Sequence, residues 1–241
     1  MLPFWRQPLT IHNPLFHHPM IQVKVSPEIA AVCPDFVGAV VEAHVVNSPY
    51  SEALWQDINS LSAHYRDTLT TETLKQMPSI EATRRIYRAC GKDPSRYRPA
   101  SEALIRRMLQ GKELYQINTI VDLINLASIR FGYSIGGFDA SKFVGDTLTL
   151  GIGCAGEPYE GIGRGMLNIE GLPVYRDAQG GVGTPTSDNE RTKIEIGTTH
   201  TCILINGYDG NEEGVSANAD FLVQLLTNYA GATDASWTIY K

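Results

Sequence analysis

Helical and strand-like periodicities occupy different stretches of this chain, and no strand–helix–strand unit repeats. Leu54, Ile58 and Leu61 recur at i, i+4 and i+7, the stripe of an amphipathic helix. A second helix is expected from Ile80 to about Cys90, capped by Ser79 and closed by Gly91, and a third through Ala103, Leu104, Arg107 and Met108, ended by Gly111. Ile120, Leu123, Ile124 and Ala127 mark a fourth, with Thr119-x-x-Asp122 in capping-box form and Gly132 at its end. Beyond Gly136 the pattern turns to alternation and glycine punctuation: Thr147 to Ile152, Thr201 to Ile205 and Ser236 to Tyr240 read as strands, with one more helix through Leu222, Leu225, Leu226 and Tyr229. Two strands precede the helices, Ile21 to Val25 and the more buried Val37 to Val46. This segregation excludes a doubly wound parallel sheet and predicts an α+β domain.

The first nineteen residues, MLPFWRQPLTIHNPLFHHP, have neither period and lack the apolar core and cleavage site of a signal peptide. They read as an irregular extension, residues 1–19, with Met20 as an alternative start and a single domain over 20–241. His12, His17 and His18 within it read as part of an exposed arm rather than a metal site. No apolar run is long enough to cross a membrane. Cys33, Cys90, Cys154 and Cys202 are scattered, without C-x-x-C spacing, which argues against a zinc site or disulfide framework and fits a reducing cytoplasm. No metal or cofactor is expected.

A net charge of −6 argues against a broadly basic nucleic-acid binder. Nine of the twenty Lys and Arg residues nevertheless fall between Arg84 and Lys112, so a local positive patch survives the acidic average. Arg84, Arg85, Arg88, Lys92, Arg96 and Arg98, interleaved with Tyr87 and Tyr97, suit backbone phosphates; a basic helix surface serving solubility is the alternative.

Three other polar groupings stand out. Asn118, Asp122 and Asn125 lie at the start of the fourth helix, where they either tie it to the preceding loop or face a ligand. Gly136-Gly137, before Phe138-Asp139, suits a tight turn or a close backbone approach to a ligand. The run from Ser187 to Lys193 supplies Glu190, Arg191 and Thr192, a carboxylate, a guanidinium and a hydroxyl fit for the ammonium and carboxylate of an amino acid; a solvated loop explains it equally. Gly-x-Ser-x-Gly, H-E-x-x-H and Walker sequences are absent.

Three blocks, RRIYRACGKDPSRYRPASEALIRRML, INTIVDLINLASIRFGYSIGGFD and DNERTKIEIGTTHTCILING, together resemble the stand-alone B3/B4 domain proteins, which are similar to the B3/B4 domain of the bacterial phenylalanyl-tRNA synthetase β subunit. The resemblance implies one α+β domain with mixed sheets flanked by helices, and an amino-acid-sized cleft facing a tRNA acceptor end. In that synthetase the domain hydrolyses tyrosine misattached to the phenylalanine tRNA. Asn118, Asp122 and Asn125 match the family's N-x-x-x-D-x-x-N helix, and Phe138-Asp139 its F-D pair. Gly136 stands where the synthetase has a pocket histidine, and Glu190 resembles the pocket's acidic residue, within a residue or so. The implied function is recognition of a tRNA or aminoacyl-tRNA end, with editing hydrolysis through Glu190 and a substrate cleft of Asn118, Asp122, Asn125, Gly136, Gly137, Asp139, Arg191 and Thr192. Because Gly136 replaces the histidine, a non-catalytic binder of an amino acid or small metabolite is the alternative.

Overall fold

The computed structural model describes residues 3–7 and 21–241. In chain order its elements are β1 (Gln22–Val25), α1 (Pro27–Val32), β2 (Val37–His44), α2 (Glu52–Thr68), α3 (Thr71–Leu74), α4 (Pro78–Ala89), α5 (Ala100–Leu109), α6 (Thr119–Phe131), β3 (Ser134–Asp139) and β4 (Thr147–Ile152). There follow β5 (Glu160–Gly161), β6 (Gly165–Met166), β7 (Pro173–Arg176), β8 (Gly181–Gly183), β9 (His200–Gly207), α7 (Glu212–Ala230) and β10 (Ser236–Tyr240).

Two four-stranded sheets organise the molecule. One, in the order β10-β2-β9-β3, is antiparallel throughout. The other, in the order β1-β4-β7-β8, is mixed, because β1 joins β4 in parallel while the remaining pairs are antiparallel.

The apolar runs of β2 and β9 are explained by burial on both faces. Alternate side chains of one strand point to opposite sides. Val37, Ala39, Val41, Ile203 and Ile205 pack with Leu54, Ile58, Leu123 and Leu222 of the helices. Val40, Cys202 and Leu204 pack with Leu148, Leu150, Tyr175 and Val182 of the mixed sheet. The result is three layers: helices, antiparallel sheet, mixed sheet. A smaller cluster of Tyr87, Tyr159, Ile169, Leu172 and Val174 fixes α4 to the loops of the mixed sheet.

Several sequence expectations are corrected. Ser79 does not cap α4; it lies inside the helix and donates its hydroxyl to the Phe131 carbonyl at 3.1 Å. The cap of α6 is Asn118 rather than Thr119, whose hydroxyl instead pairs with Ser48 at 2.6 Å. Gly136 and Gly137 form no turn but lie within β3, with φ outside the left-handed region. Residues 3–7, part of the expected irregular extension, are docked: the Phe4 N–H donates to Asp57 at 2.8 Å, its ring stacks on Phe221, and Trp5 is buried. The three histidines of the extension lie outside the described residues.

Candidate functional site at the seam of two sheets

The start of α6 is a closed set of hydrogen bonds. The Asn118 side chain accepts the Val121 N–H at 3.0 Å and so satisfies one of the helix's orphan donors. Asp122, one turn in, receives the Trp55 indole N–H on one oxygen at 2.8 Å and the Ile117 N–H on the other at 3.1 Å. Burial raises its carboxyl above the ordinary value, and these two donors oppose the rise. Asn118 thus caps α6, and Asp122 lashes it to α2 and to the segment before it. Asn125 is half-buried, and its amide has no hydrogen-bond partner among the described residues. Ile124, its neighbour, lies under Gly137, where a Cβ would stand 2.5 Å from the Ile124 methyl.

Gly136 faces the other way, toward the mixed sheet, and meets Gly183 of β8 across the rim of the Phe138 ring. A Cβ at Gly136 would lie 2.7 Å from Phe138 Cζ, and one at Gly183 would lie 2.5 Å from the same atom. The two glycines belong to different sheets, so the ring edge marks the seam where the sheets meet.

A carboxylate lies on this seam. Asp188 Oδ2 accepts the Gly137 N–H at 3.1 Å. Its Oδ1 would be 3.3 Å from a Cβ at Gly136 and 2.9 Å from one at Gly183, and it accepts no hydrogen bond from the described residues. The backbone holds Asp188 firmly: it bridges to Gly183, and its carbonyl accepts the Ile162 N–H at 3.1 Å. Loss of solvation beside the apolar ring pushes its carboxyl up to about 7, against a smaller downward effect of the Gly137 N–H. A carboxylate so poised exchanges a proton near neutral pH.

The other polar candidates divide by how completely they are engaged. Arg191 forms a two-pronged pair with Asp177, both contacts at 2.9 Å, and donates to the Lys142 carbonyl. Thr192 is fully buried and donates to the Val182 carbonyl. Asp139 accepts from the Ser141 N–H, the Ser141 hydroxyl and the Thr198 hydroxyl. Glu190 is half-exposed and pairs with Lys193, whose ammonium holds its carboxyl below the ordinary value. Of the carboxylates in the Ser187–Lys193 run, Asp188 touches the glycine pair. The sequence reading did not select it, although it stands in the same run; its approach to Gly137 joins positions 51 residues apart.

The basic segment is partly internal. Glu102, fully buried, takes Arg84 and Arg106 at 2.9 and 2.8 Å with Arg98 at 3.7 Å. Lys92 is buried and donates to the carbonyls of Asn168 and Glu170. Arg85, Arg88 and Arg96 remain at the surface. Among the described residues no group of His, Cys, Asp and Glu is placed to hold a metal ion, and no helix is long and apolar enough to cross a membrane.

Three layers with a glycine-lined, carboxylate-bearing seam define a single α+β domain. The B3/4 domain profile matches residues 82–231, more than half the chain, and the protein belongs to that family. Its fold is similar to an N-terminal fragment of the phenylalanyl-tRNA synthetase β subunit from Pyrococcus horikoshii, with a TM-score of 0.51 and 14% identity. The similarity covers 94% of this chain and 53% of that fragment, so the chain spans about half the length of its structural relative. No protein of curated function matches it by sequence.

Proposed function

We propose that this domain recognises the aminoacyl end of a tRNA at the Gly136–Gly183 seam and hydrolyses the ester of a mischarged one. The observation that carries this reading is the bare Oδ1 of Asp188 beside two glycines, with Oδ2 fixed by the Gly137 N–H. Membership of the B3/4 domain family and a fold similar to a phenylalanyl-tRNA synthetase β-subunit fragment support the class of ligand.

In the proposed reaction a water oxygen attacks the ester carbonyl carbon while Asp188 takes its proton. The carbon–oxygen bond to the ribose then breaks, and the departing oxygen recovers that proton from Asp188. Free amino acid and uncharged tRNA result. Glu190, at the rim with Lys193, is assigned to the substrate's α-ammonium, and Asn125 to its remaining polar groups. Gly136, Gly137 and Gly183 leave the backbone open to approach, while the exposed Arg85, Arg88 and Arg96 meet tRNA phosphates. Asn118, Asp122, Asp139, Arg191 and Thr192 keep a supporting role through the bonds described above.

Release of labelled amino acid from a panel of correctly charged and mischarged tRNAs tests the reading. The expected result is selective release, about 10²–10⁴-fold slower in Asp188→Asn, the usual contribution of a positioned base. The rate should climb with pH through about 7 as Asp188 loses its proton.

A second reading is a non-catalytic amino-acid binder. It is favoured by Gly136, which contributes no titratable side chain of its own to the seam. Saturable binding of a free amino acid, with no release from any charged tRNA, would select it.

A further inference from the structure

Beside the seam lies a cavity of about 290 Å³ whose walls are Tyr97, Arg164, Leu167, Leu172 and Thr184, with Arg96 at its edge. Four guanidinium groups elsewhere in the fold are paired: Arg84 and Arg106 with Glu102, Arg176 with Glu157, and Arg191 with Asp177. Arg96 and Arg164 are exposed, and their guanidinium groups form no ion pair or hydrogen bond with described residues. The Arg96 guanidinium lies 5.7 Å from the centroid of the Tyr97 ring, at the cavity, and two guanidinium groups without a carboxylate partner on one cavity favour a phosphate, which accepts them in fork geometry.

The rest of the cavity indicates what the phosphate is attached to. Leu167 and Leu172 are apolar. The Thr186 hydroxyl is bound to the Tyr97 carbonyl and to Tyr87, and the Thr184 hydroxyl to the Ser187 carbonyl. Asn168, whose Oδ1 accepts the Glu170 N–H, is the remaining polar residue, and such walls suit a flat heterocycle better than a second charged group. The Tyr97 ring is held by the Lys92 ammonium 4.0 Å from its centroid. A ring fixed this way is a stacking surface whose ordering cost is already met. Arg164 lies between Gly163 and Gly165, both in the left-handed region at φ of 63° and 67°, so its backbone adopts a turn that closes the β5–β6 hairpin over the cavity.

We propose that this cavity binds a nucleoside monophosphate unit, its phosphate between Arg96 and Arg164 and its base against Tyr97, Leu167 and Leu172. The unit comes either from a free nucleotide or from the end of an RNA strand. The second source deepens the proposed function and rests on it: Ile162 of the same hairpin donates to Asp188, and Thr184 and Thr186 lead into Asp188, so an RNA end held here lies next to the seam.

Calorimetric titration of the whole protein with the four nucleoside monophosphates, and separately with a short single-stranded RNA bearing a free 3′ end, tests the assignment. Saturable binding is expected, falling about tenfold in Arg164→Gln and again in Arg96→Gln, each loss being that of a hydrogen bond to a charged group. Affinity should also fall as salt is raised. Binding of RNA but not free nucleotide identifies a strand end; binding of both at equal strength identifies a nucleotide site independent of RNA. Absence of saturation with every probe, or equal binding by parent and both variants, overturns the proposal. Because these titrations need no turnover, a protein that binds nucleotide yet deacylates nothing refutes the proposed reaction alone.

Discussion

Asp122 and Asp188 are both carboxylates pushed up by burial, yet they are built for opposite ends. Asp122 has a donor on each oxygen, the Trp55 indole and the Ile117 N–H. Asp188 has one donor and one bare oxygen beside two glycines. Burial alone therefore does not separate a framework carboxylate from a reactive one; the number of fixed donors does. A carboxylate with a donor on each oxygen has none to offer a ligand, whereas a half-satisfied one does.

Three substitutions break or sharpen this contrast. Asp122→Ala should cost about 3 kcal/mol in urea unfolding, because it strands a buried indole N–H and a backbone N–H together. A cost near zero would mean that water replaces the carboxylate and that the α6 start is not a lashing point. Gly136→Ala comes next, at about 2 kcal/mol, since the new methyl meets the rim of a fully buried ring. If it proves neutral, the seam is looser than the packing of Phe138 implies. Asp188→Asn should act in the opposite direction, and only above acidic pH. The Asp188 carboxyl is raised in the folded protein, so its contribution to stability is full below its unfolded value near 4 and is lost as pH rises through about 7. The variant should then be more stable than the parent at pH 8, with the gain vanishing near pH 4. A pH-independent difference would remove Asp188 from the seam.

The architecture was readable to the extent that it is local. Helical stripes and the glycines after them, Gly91, Gly111, Gly132 and Gly231, mark the ends of α4, α5, α6 and α7, and each has positive φ. Alternation and apolar runs place β4, β9 and β10, and the three sequence blocks carry the family. What escaped is what glycine and capping residues cannot announce. Gly136-Gly137 has no side chain to show a period, so a strand in close contact with another sheet looks like a turn. Asn118 and Thr119 are adjacent and both can cap, and only the fold shows Thr119 bound to Ser48 instead. The nearness of Asp188 to Gly137 depends on β3 and β8 meeting from separate sheets, which no window of sequence contains.

The Phe138 ring makes positions 136 and 183 dependent on position 138. As long as the phenyl rim stands where both Cβ atoms would be, neither strand can acquire a side chain singly without displacing it. A smaller residue at 138 would open both positions at once, at the expense of a fully buried ring. Changes in the lining of this seam are therefore coupled: a side chain enters position 136 or 183 only as the Phe138 ring moves aside. The order in which such substitutions are made will decide which of them the fold survives.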